Sequence, residues 1–204
     1  MAIQVMTNEQ AVQKLFFDAW SESFEELFEK KPSPSDIFPT RANRNTTFFR
    51  LFGAGNTDFH VNIRSSKTGE GDKPVAVQAV TDYGDFYAGG GARSIANPSL
   101  FSRDVAPTRE VDGIKVNRGW SEIYQEVIGK YTDKPMILSI ANKSLIPQWR
   151  GLGFVPYDEE KANLPEPVKQ KLKSAKYPIY YRDSGEMKKS FAYIWAKYVH
   201  KCDL

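Results

Sequence analysis

The stretch "IANKSLIPQWRGLGF" at residues 140–154 places residues of chemical interest behind an apolar segment. Asn142 offers an amide that both donates and accepts hydrogen bonds, and Trp149 offers an indole N–H. Gly153 and Phe154 follow as a tight pair. These residue types have two interpretations: they bind a small molecule and act on it, or they close a hydrophobic core.

The composition limits the classes of protein and of site. A chain of 204 residues suits one domain with a sizeable core, and 41% hydrophobic and 13% aromatic residues predict ordered globular structure. No run approaches the roughly 20 apolar residues that span a bilayer, and "MAIQVMTNEQ" lacks the pattern of a secretion signal. The single Cys202 excludes an internal disulfide, and two histidines argue against a His-rich metal site. We therefore expect a cytoplasmic protein without a metal.

The net charge of +3 is unevenly distributed. Residues 1–31 carry three basic and six acidic side chains, whereas residues 161–204 carry ten basic and four acidic ones. Lysines followed by tyrosines in 161–204 are a mixture that can contact phosphates and stack on bases, so this segment is a candidate for binding nucleic acid. A solvated lysine face explains the same residues more simply, and we favour that interpretation.

Helical periodicity marks both ends of the chain. Thr7 followed by Gln10 forms a capping-box pattern, and the apolar stripe behind it predicts an amphipathic helix over 7–31. The same spacing predicts a C-terminal helix over 186–202. Both stripes are rich in aromatic residues, so docking on a second copy of the chain is the alternative to packing on the chain's own sheet.

The sequence predicts a mixed sheet over 46–182, within a single domain over 1–204. Strands are predicted from β-branched and aromatic runs at 45–52, 58–64, 74–80, 113–116, 135–141 and 177–182. A helical pattern at 121–131 separates two of these strands, which predicts a βαβ unit with 113–116 parallel to 135–141. A short helix is predicted at 144–153.

Three consecutive glycines stand at 89–91, in "YAGGGARS". Such a run predicts a mobile loop or a close approach of the backbone to a partner. A phosphate cradle is a further interpretation, but no Lys-Ser or Lys-Thr pair follows as a P-loop requires.

Residues 113–157 resemble the second half of a member of the GNAT family of N-acetyltransferases. Asn142 is followed by Leu145 at +3, Trp149 at +7, and Gly153 and Phe154 at +11 and +12, the spacing of the family's Asn-x-x-Ala-x-x-x-Tyr-x-x-x-Gly-Phe pattern. The order of the predicted elements also matches. The resemblance implies a divergent GNAT-like fold: an α+β (α/β) architecture with a mixed, mostly antiparallel sheet flanked by helices.

The resemblance also implies a site for acetyl-CoA. The cofactor would lie along the strand at 113–116 and the turn "NRGWSE" behind it, where a helix N-terminus suits a pyrophosphate. Asn142 would hydrogen-bond the pantetheine arm, whereas Glu122, in place of a family glycine, would repel a phosphate. The implied cofactor-binding residues are Ile114, Val116, Asn117, Arg118, Gly119, Trp120, Ser121 and Asn142.

The catalytic residues implied by the resemblance are Trp149, Tyr157 and Glu110. Trp149 replaces the family's Tyr that protonates the departing thiolate, and an indole N–H is no practical acid at neutral pH. Tyr157 or Tyr124 would then supply that proton. Glu110 would take the proton of the attacking ammonium. The alternative bases are Asp82, Asp85, Asp112 and His60, each of which is more simply explained as a solvated carboxylate or a histidine packed in a sheet.

Three functions remain open on this evidence. The first is an acetyl-CoA-dependent N-acetyltransferase of an unknown amine, favoured by Asn142, Arg118 and Gly119. The second is a GNAT-like structural or interaction protein without catalysis, such as a phage virion or host-targeting protein, favoured by Trp149 and the missing glycines. The third is nucleic-acid binding through 161–204. The expected partners are an amine or a protein, with a homo-oligomer as an option and no membrane; a phage-encoded chain would reside in the virion instead of the cytoplasm.

Overall fold

The computed structural model describes residues 2–37, 46–65, 71–90, 93–94, 108–111, 114–117, 122–123, 126–127, 130–140, 143, 146–151 and 153–185. Its helices are Glu9–Phe28 (α1), Pro34–Ile37 (α2), Thr46–Phe52 (α3), Ile146–Gly151 (α4) and Glu166–Leu172 (α5). Its strands are Ala2–Met6 (β1), Asn56–Ser65 (β2), Asp72–Asp82 (β3), Tyr87–Gly89 (β4), Arg93–Ser94 (β5), Thr108–Val111 (β6), Ile114–Asn117 (β7), Met136–Ser139 (β8), Val155–Pro156 (β9) and Ile179–Arg182 (β10). No helix in this part of the chain has the length and hydropathy of a membrane span.

The chain divides into two compact units, each of which is described by itself. Unit 1 comprises Met1–Arg44, Asp58–Ala79 and Gly91–Ile123, and unit 2 comprises Asn45–Thr57, Val80–Gly90 and Tyr124–Leu204. The single domain over 1–204 stays a prediction, and the predicted C-terminal helix over 186–202 lies outside the described residues.

Unit 1 packs α1 against antiparallel strands. β1 pairs with β2, and β5 pairs with β3, both antiparallel. The indole N–H of Trp20 donates to the carbonyl of Pro74 at 2.8 Å, which ties α1 to β3. Alternate residues of β2 and β3 face α1, because side chains two apart share one face of a strand. The buried side chains of this core are Val12, Phe16, Trp20, Ile37, Phe59, Val61, Ile63, Val75, Val77 and Ala79.

The cap of α1 differs from the prediction. Asn8, rather than Thr7, is the N-cap residue, and its side chain accepts a hydrogen bond from the N–H of Ala11 at 3.2 Å. Asn and Thr are both good N-cap residues, so the cap is whichever of them stands directly before the first helical residue, and here that is Asn8. The helix ends at Phe28, and Glu29 follows in the left-handed conformation with φ of 50°.

Unit 2 contains a parallel strand pair between antiparallel neighbours. β4 and β8 are parallel, with Tyr87 opposite Met136 and Ala88 opposite Ile137. The end of β3 pairs antiparallel with β4, as do β10 with β8 and β9 with β10, in the order β3-β4-β8-β10-β9. These pairings confirm the predicted fold class, a mixed and mostly antiparallel sheet flanked by helices.

Residues 45–52 were predicted as a strand, but the described part of this segment forms the helix α3. Phe48 and Phe52, one turn apart, both contact the ring of Phe86, with centroids 6.4 and 5.1 Å away. An apolar run this short is compatible with either a strand or a helix. Packing of its side chains against the core determines which of the two forms, and here it is a helix. α5 was not predicted; its Val168 and Leu172, four residues apart, join the same core.

The predicted parallel partner of β8 is wrong. β7 pairs antiparallel with β6, from Thr108 opposite Asn117 to Val111 opposite Ile114, whereas the parallel partner of β8 is β4. The sequence Asp-Gly stands between β6 and β7 and is the strongest short signal for a hairpin. Within 121–131, the N–H of Tyr131 donates to the carbonyl of Val127 at 2.9 Å, the spacing of a helical turn.

Candidate functional site

The segment from Trp149 to Phe154 forms the C-terminal cap of α4. Gly153 has φ of 85°, its N–H donates to the carbonyl of Arg150 at 3.0 Å, and the N–H of Phe154 donates to the carbonyl of Trp149 at 3.1 Å. These two bonds are those of a Schellman motif, in which glycine adopts the left-handed conformation at low cost. The spacing that resembles the GNAT pattern is therefore also the spacing of a helix cap.

Trp149, a predicted catalytic residue, lies in the core of unit 2. Its side chain is 6% exposed, and its ring meets Phe154 edge-on with centroids 5.5 Å apart. The guanidinium of Arg182 lies 4.4 Å from the centroid of Phe154. A hydrophobic contact between the two cap positions that Trp149 and Phe154 occupy frequently accompanies a Schellman motif. Packing alone thus explains a large side chain at position 149.

Tyr157, the predicted proton donor, also packs on a core. Its N–H donates to the carbonyl of Ile179 at 2.9 Å, and its ring lies against the cluster that includes Phe48 and Phe86. Its hydroxyl oxygen is buried and has no hydrogen-bond partner among the described residues. Burial, reinforced by nearby carboxylates such as Glu159, raises the pKa of Tyr157, so the phenol is protonated at neutral pH.

The other predicted residues lie on one hairpin or outside the described residues. Glu110 lies on β6, and Ile114, Val116 and Asn117 lie on β7. The predicted residues outside the described part of the chain are Arg118, Gly119, Trp120, Ser121 and Asn142. Their roles stay predictions.

Asp82, one of the alternative bases, is held by a neighbour, and His60, another, is buried. Both carboxylate oxygens of Asp82 lie 3.0 Å from the ammonium of Lys134. His60 is fully buried on β2, as expected for a histidine packed within a sheet.

A further carboxylate contact involves a tyrosine on β4. The hydroxyl of Tyr87 donates to Asp133 at 3.0 Å, and burial together with that carboxylate raises the pKa of Tyr87. Among the described residues, no group of three or more His, Cys, Asp or Glu side chains is placed to hold a metal ion.

Glu122 is engaged within unit 1. Its carboxylate forms an ion pair with Arg64 and accepts a hydrogen bond from the amide of Asn62 at 2.8 Å. Arg64 and Asn62 share one face of β2 with His60, and all three side chains are buried. The charge of Glu122 is therefore balanced by a buried guanidinium, which reduces the repulsion that this residue would exert on a phosphate.

The carboxyl ends of the parallel strands β4 and β8 form the candidate site. Gly89 ends β4, Gly90 follows it, and both are buried, whereas Ser139 ends β8. The hydroxyl of Ser139 donates to the hydroxyl of Thr47 at 2.9 Å. In open sheets with parallel strands, ligands bind outside the carboxyl ends of those strands. The signal for this site is the apolar segment "FYA" directly before the glycines, which was not predicted as a strand.

A separate pocket of about 540 Å³ lies beside β9. The register of β10 places Arg182 opposite Met136, so this pocket lies at the amino end of β8, away from Ser139. Its side chains include Asp158, which pairs with Lys161 at 3.0 Å. The hydrogen bond from Lys161 lowers the pKa of Asp158.

Comparison with known proteins gives structural similarities alone, since no family model and no curated protein matches this chain. It is similar to an acetyltransferase of the GNAT family from Staphylococcus aureus, with 10% identity and a TM-score of 0.41 over 90% of this chain and 99% of that one. It is similar to ElaA from Escherichia coli, with 16% identity and a TM-score of 0.42 over 90% of this chain and 100% of that one. It is also similar to N-acetylglutamate synthase from Neisseria gonorrhoeae, a complex with coenzyme A and N-acetyl-glutamate, with 10% identity and a TM-score of 0.39 over 90% of this chain and 35% of that one.

Proposed function

We propose that this chain is an acetyl-CoA-dependent N-acetyltransferase that acts on an amine. The observation that carries the proposal is the parallel pair β4–β8 between antiparallel neighbours, with Gly89 and Gly90 at its carboxyl end. The pantetheine arm of acetyl-CoA is an extended chain with amides, and such a chain can pair with backbone as an added strand. Glycines suit that role, because a backbone without Cβ atoms lets a ligand approach closely.

The cofactor site proposed here lies on β4 and β8 instead of β7. Asn142 follows the end of β8 by three residues in the sequence, and its amide would hydrogen-bond the pantetheine arm. Bound acetyl-CoA would supply the thioester that the amine attacks. Thr47 and Ser139 would border the reacting groups from the end of β8.

The alternative is a GNAT-like protein that does not transfer acetyl groups and serves as a structural or interaction protein. The contacts of Trp149 and Tyr157 favour it, because packing explains both of these predicted catalytic residues. A role in a phage virion or against a host protein would be of this kind.

Calorimetric titration of the full chain with acetyl-CoA tests the proposal. We expect micromolar affinity that is lost in Asn142→Ala. Asn163→Ala is the matched control, because it removes the same amide from an exposed residue that is not part of the proposed site. No heat at millimolar acetyl-CoA, or an equal loss of affinity in both variants, would contradict the proposal and leave the alternative.

A further inference from the structure

The hydroxyls of Thr47 and Ser139 form a pair at the end of the parallel strands. Thr47 lies in the first turn of α3, Ser139 is the last residue of β8, and their oxygens are 2.9 Å apart. Both residues are half-buried. Each hydroxyl has one proton to donate and two lone pairs to accept with.

The hydroxyls of Thr47 and Ser139 can each form further hydrogen bonds. The proton of Ser139 goes to Thr47. In the part of the chain that the structure describes, neither hydroxyl has another hydrogen bond. The pair therefore offers a donor, the O–H of Thr47, beside an acceptor, the oxygen of Ser139. Two adjacent groups of this kind match a ligand group that accepts and donates on the same side, such as a carboxamide.

The pair also lies at the level of the proposed cofactor site. Ala88 is opposite Ile137, so Ser139, two residues further along β8, is level with Gly90. Ile137 and Ser139 share the face of the sheet on which Phe48 of α3 packs. The hydroxyls therefore stand at the rim of this core, where partial burial makes a mismatched ligand costly.

We infer that Thr47 and Ser139 are specificity-determining residues that bind the acceptor, and that the acceptor is an amine carrying a carboxamide close to its nitrogen. The inference rests on the proposed acetyltransferase function. The carbonyl of the carboxamide accepts from Thr47, and its N–H donates to Ser139. An alkylamine of equal size leaves both hydroxyls without these bonds, and a carboxylate offers no donor to Ser139.

Glycinamide, glycine and propylamine are the probes, each titrated into the full chain saturated with coenzyme A, which binds without reacting. We expect glycinamide to bind at least about tenfold more tightly than propylamine, because it makes two additional hydrogen bonds. Thr47→Val and Ser139→Ala should remove this preference. Tight binding of glycine or propylamine, or no measurable binding of glycinamide, would overturn the inference.

Thr57→Val is the matched control. The hydroxyls of Thr57 and Thr81 form a similar pair at 3.0 Å within unit 2. Thr81 is opposite Ala88, on the far side of β4 from β8, so this pair lies roughly 12 Å from Ser139. A purely structural role of Thr47 predicts that both Thr→Val variants lower the melting temperature and keep the preference for glycinamide, and this result would also overturn the inference.

These measurements distinguish a failure of the proposed acetyltransferase function from a failure of the inference about the acceptor. If the unmodified chain does not bind acetyl-CoA, the proposed function fails. If it binds acetyl-CoA and Thr47→Val retains that affinity, but glycinamide is not preferred by the unmodified chain, only the inference about the acceptor fails.

Discussion

Removal of the Tyr157 hydroxyl should stabilise the protein. The oxygen is buried without a hydrogen-bond partner among the described residues, while the ring packs on the core of unit 2. A buried polar group without a partner costs about 1–3 kcal/mol, so Tyr157→Phe should raise the free energy of unfolding by roughly 1 kcal/mol. Urea unfolding followed by circular dichroism measures this as a higher midpoint with an unchanged slope.

Tyr181→Phe is the matched control and should have the opposite sign. The hydroxyl of Tyr181 accepts from the N–H of Asn163 at 3.1 Å and donates to Asp183 at 3.2 Å. Loss of these bonds should lower the free energy of unfolding by about 1–2 kcal/mol. If Tyr157→Phe destabilises as much as Tyr181→Phe, the Tyr157 hydroxyl has a partner and the reasoning is refuted.

The same variant tests the predicted role of Tyr157 in proton donation. A general acid contributes about 10²–10⁴-fold to the rate of a reaction, so a catalytic Tyr157 would lose that factor on substitution by Phe. We expect full activity from Tyr157→Phe, because packing explains this side chain. A loss of kcat of that size, in a variant with unchanged or increased stability, would establish Tyr157 as the acid.

The remaining predictions concern helix caps and a half-buried phenol. Asn8→Ala should lower the free energy of unfolding by about 1 kcal/mol and Thr7→Ala by almost nothing, and equal effects in urea unfolding would disprove the observed cap. Gly153→Ala should cost about 1 kcal/mol in the same assay, because alanine is strained at φ of 85°; a neutral result would contradict the left-handed cap. Burial raises the pKa of Tyr83 from 10.0 to about 12, so its contribution to stability is present below about pH 10 and is lost as the pH rises towards 12. The ultraviolet titration curve of the unmodified chain minus that of the Tyr83→Phe variant isolates the Tyr83 phenol; we expect this difference to titrate near pH 12, and a difference that titrates near pH 10 would contradict the shift.

The longer strands were predictable because their own residues carry the pattern. The segments 58–64 and 74–80 lie within β2 and β3, where apolar residues facing α1 alternate along the chain. β4 was not predictable in this way, because a strand of only three residues, Tyr87–Gly89, is too short to show an alternating pattern. Its pairing with β8 depends on contacts between distant parts of the chain, which local sequence does not encode.

Of the candidate site, only a close backbone approach at the glycines of 89–91 was predicted, whereas the segment from Trp149 to Phe154 was given a role in the site that its packing explains. A Schellman motif usually has glycine at its left-handed position and a hydrophobic contact between the residues on either side, and the pattern that resembles the GNAT family has an aromatic residue, Gly and Phe at the same spacing. The spacing of Trp149, Gly153 and Phe154 therefore could not separate a binding role from a packing role. The Asp-Gly pair before β7 would have indicated a hairpin, and with it a different partner for β8.

Pro156 in β9 has a consequence for assembly of the sheet. Among the described residues, β9 is the last strand in the order of unit 2, and the N–H of Tyr157, directly after β9, donates to the carbonyl of Ile179 on β10. Backbone groups alternate in direction along an antiparallel strand, so the nitrogen at position 156 points away from β10 and, in proline, carries no hydrogen. A strand from another molecule would find no donor there. Natural sheets use proline in this position against edge-to-edge aggregation, and this edge is protected in the same way.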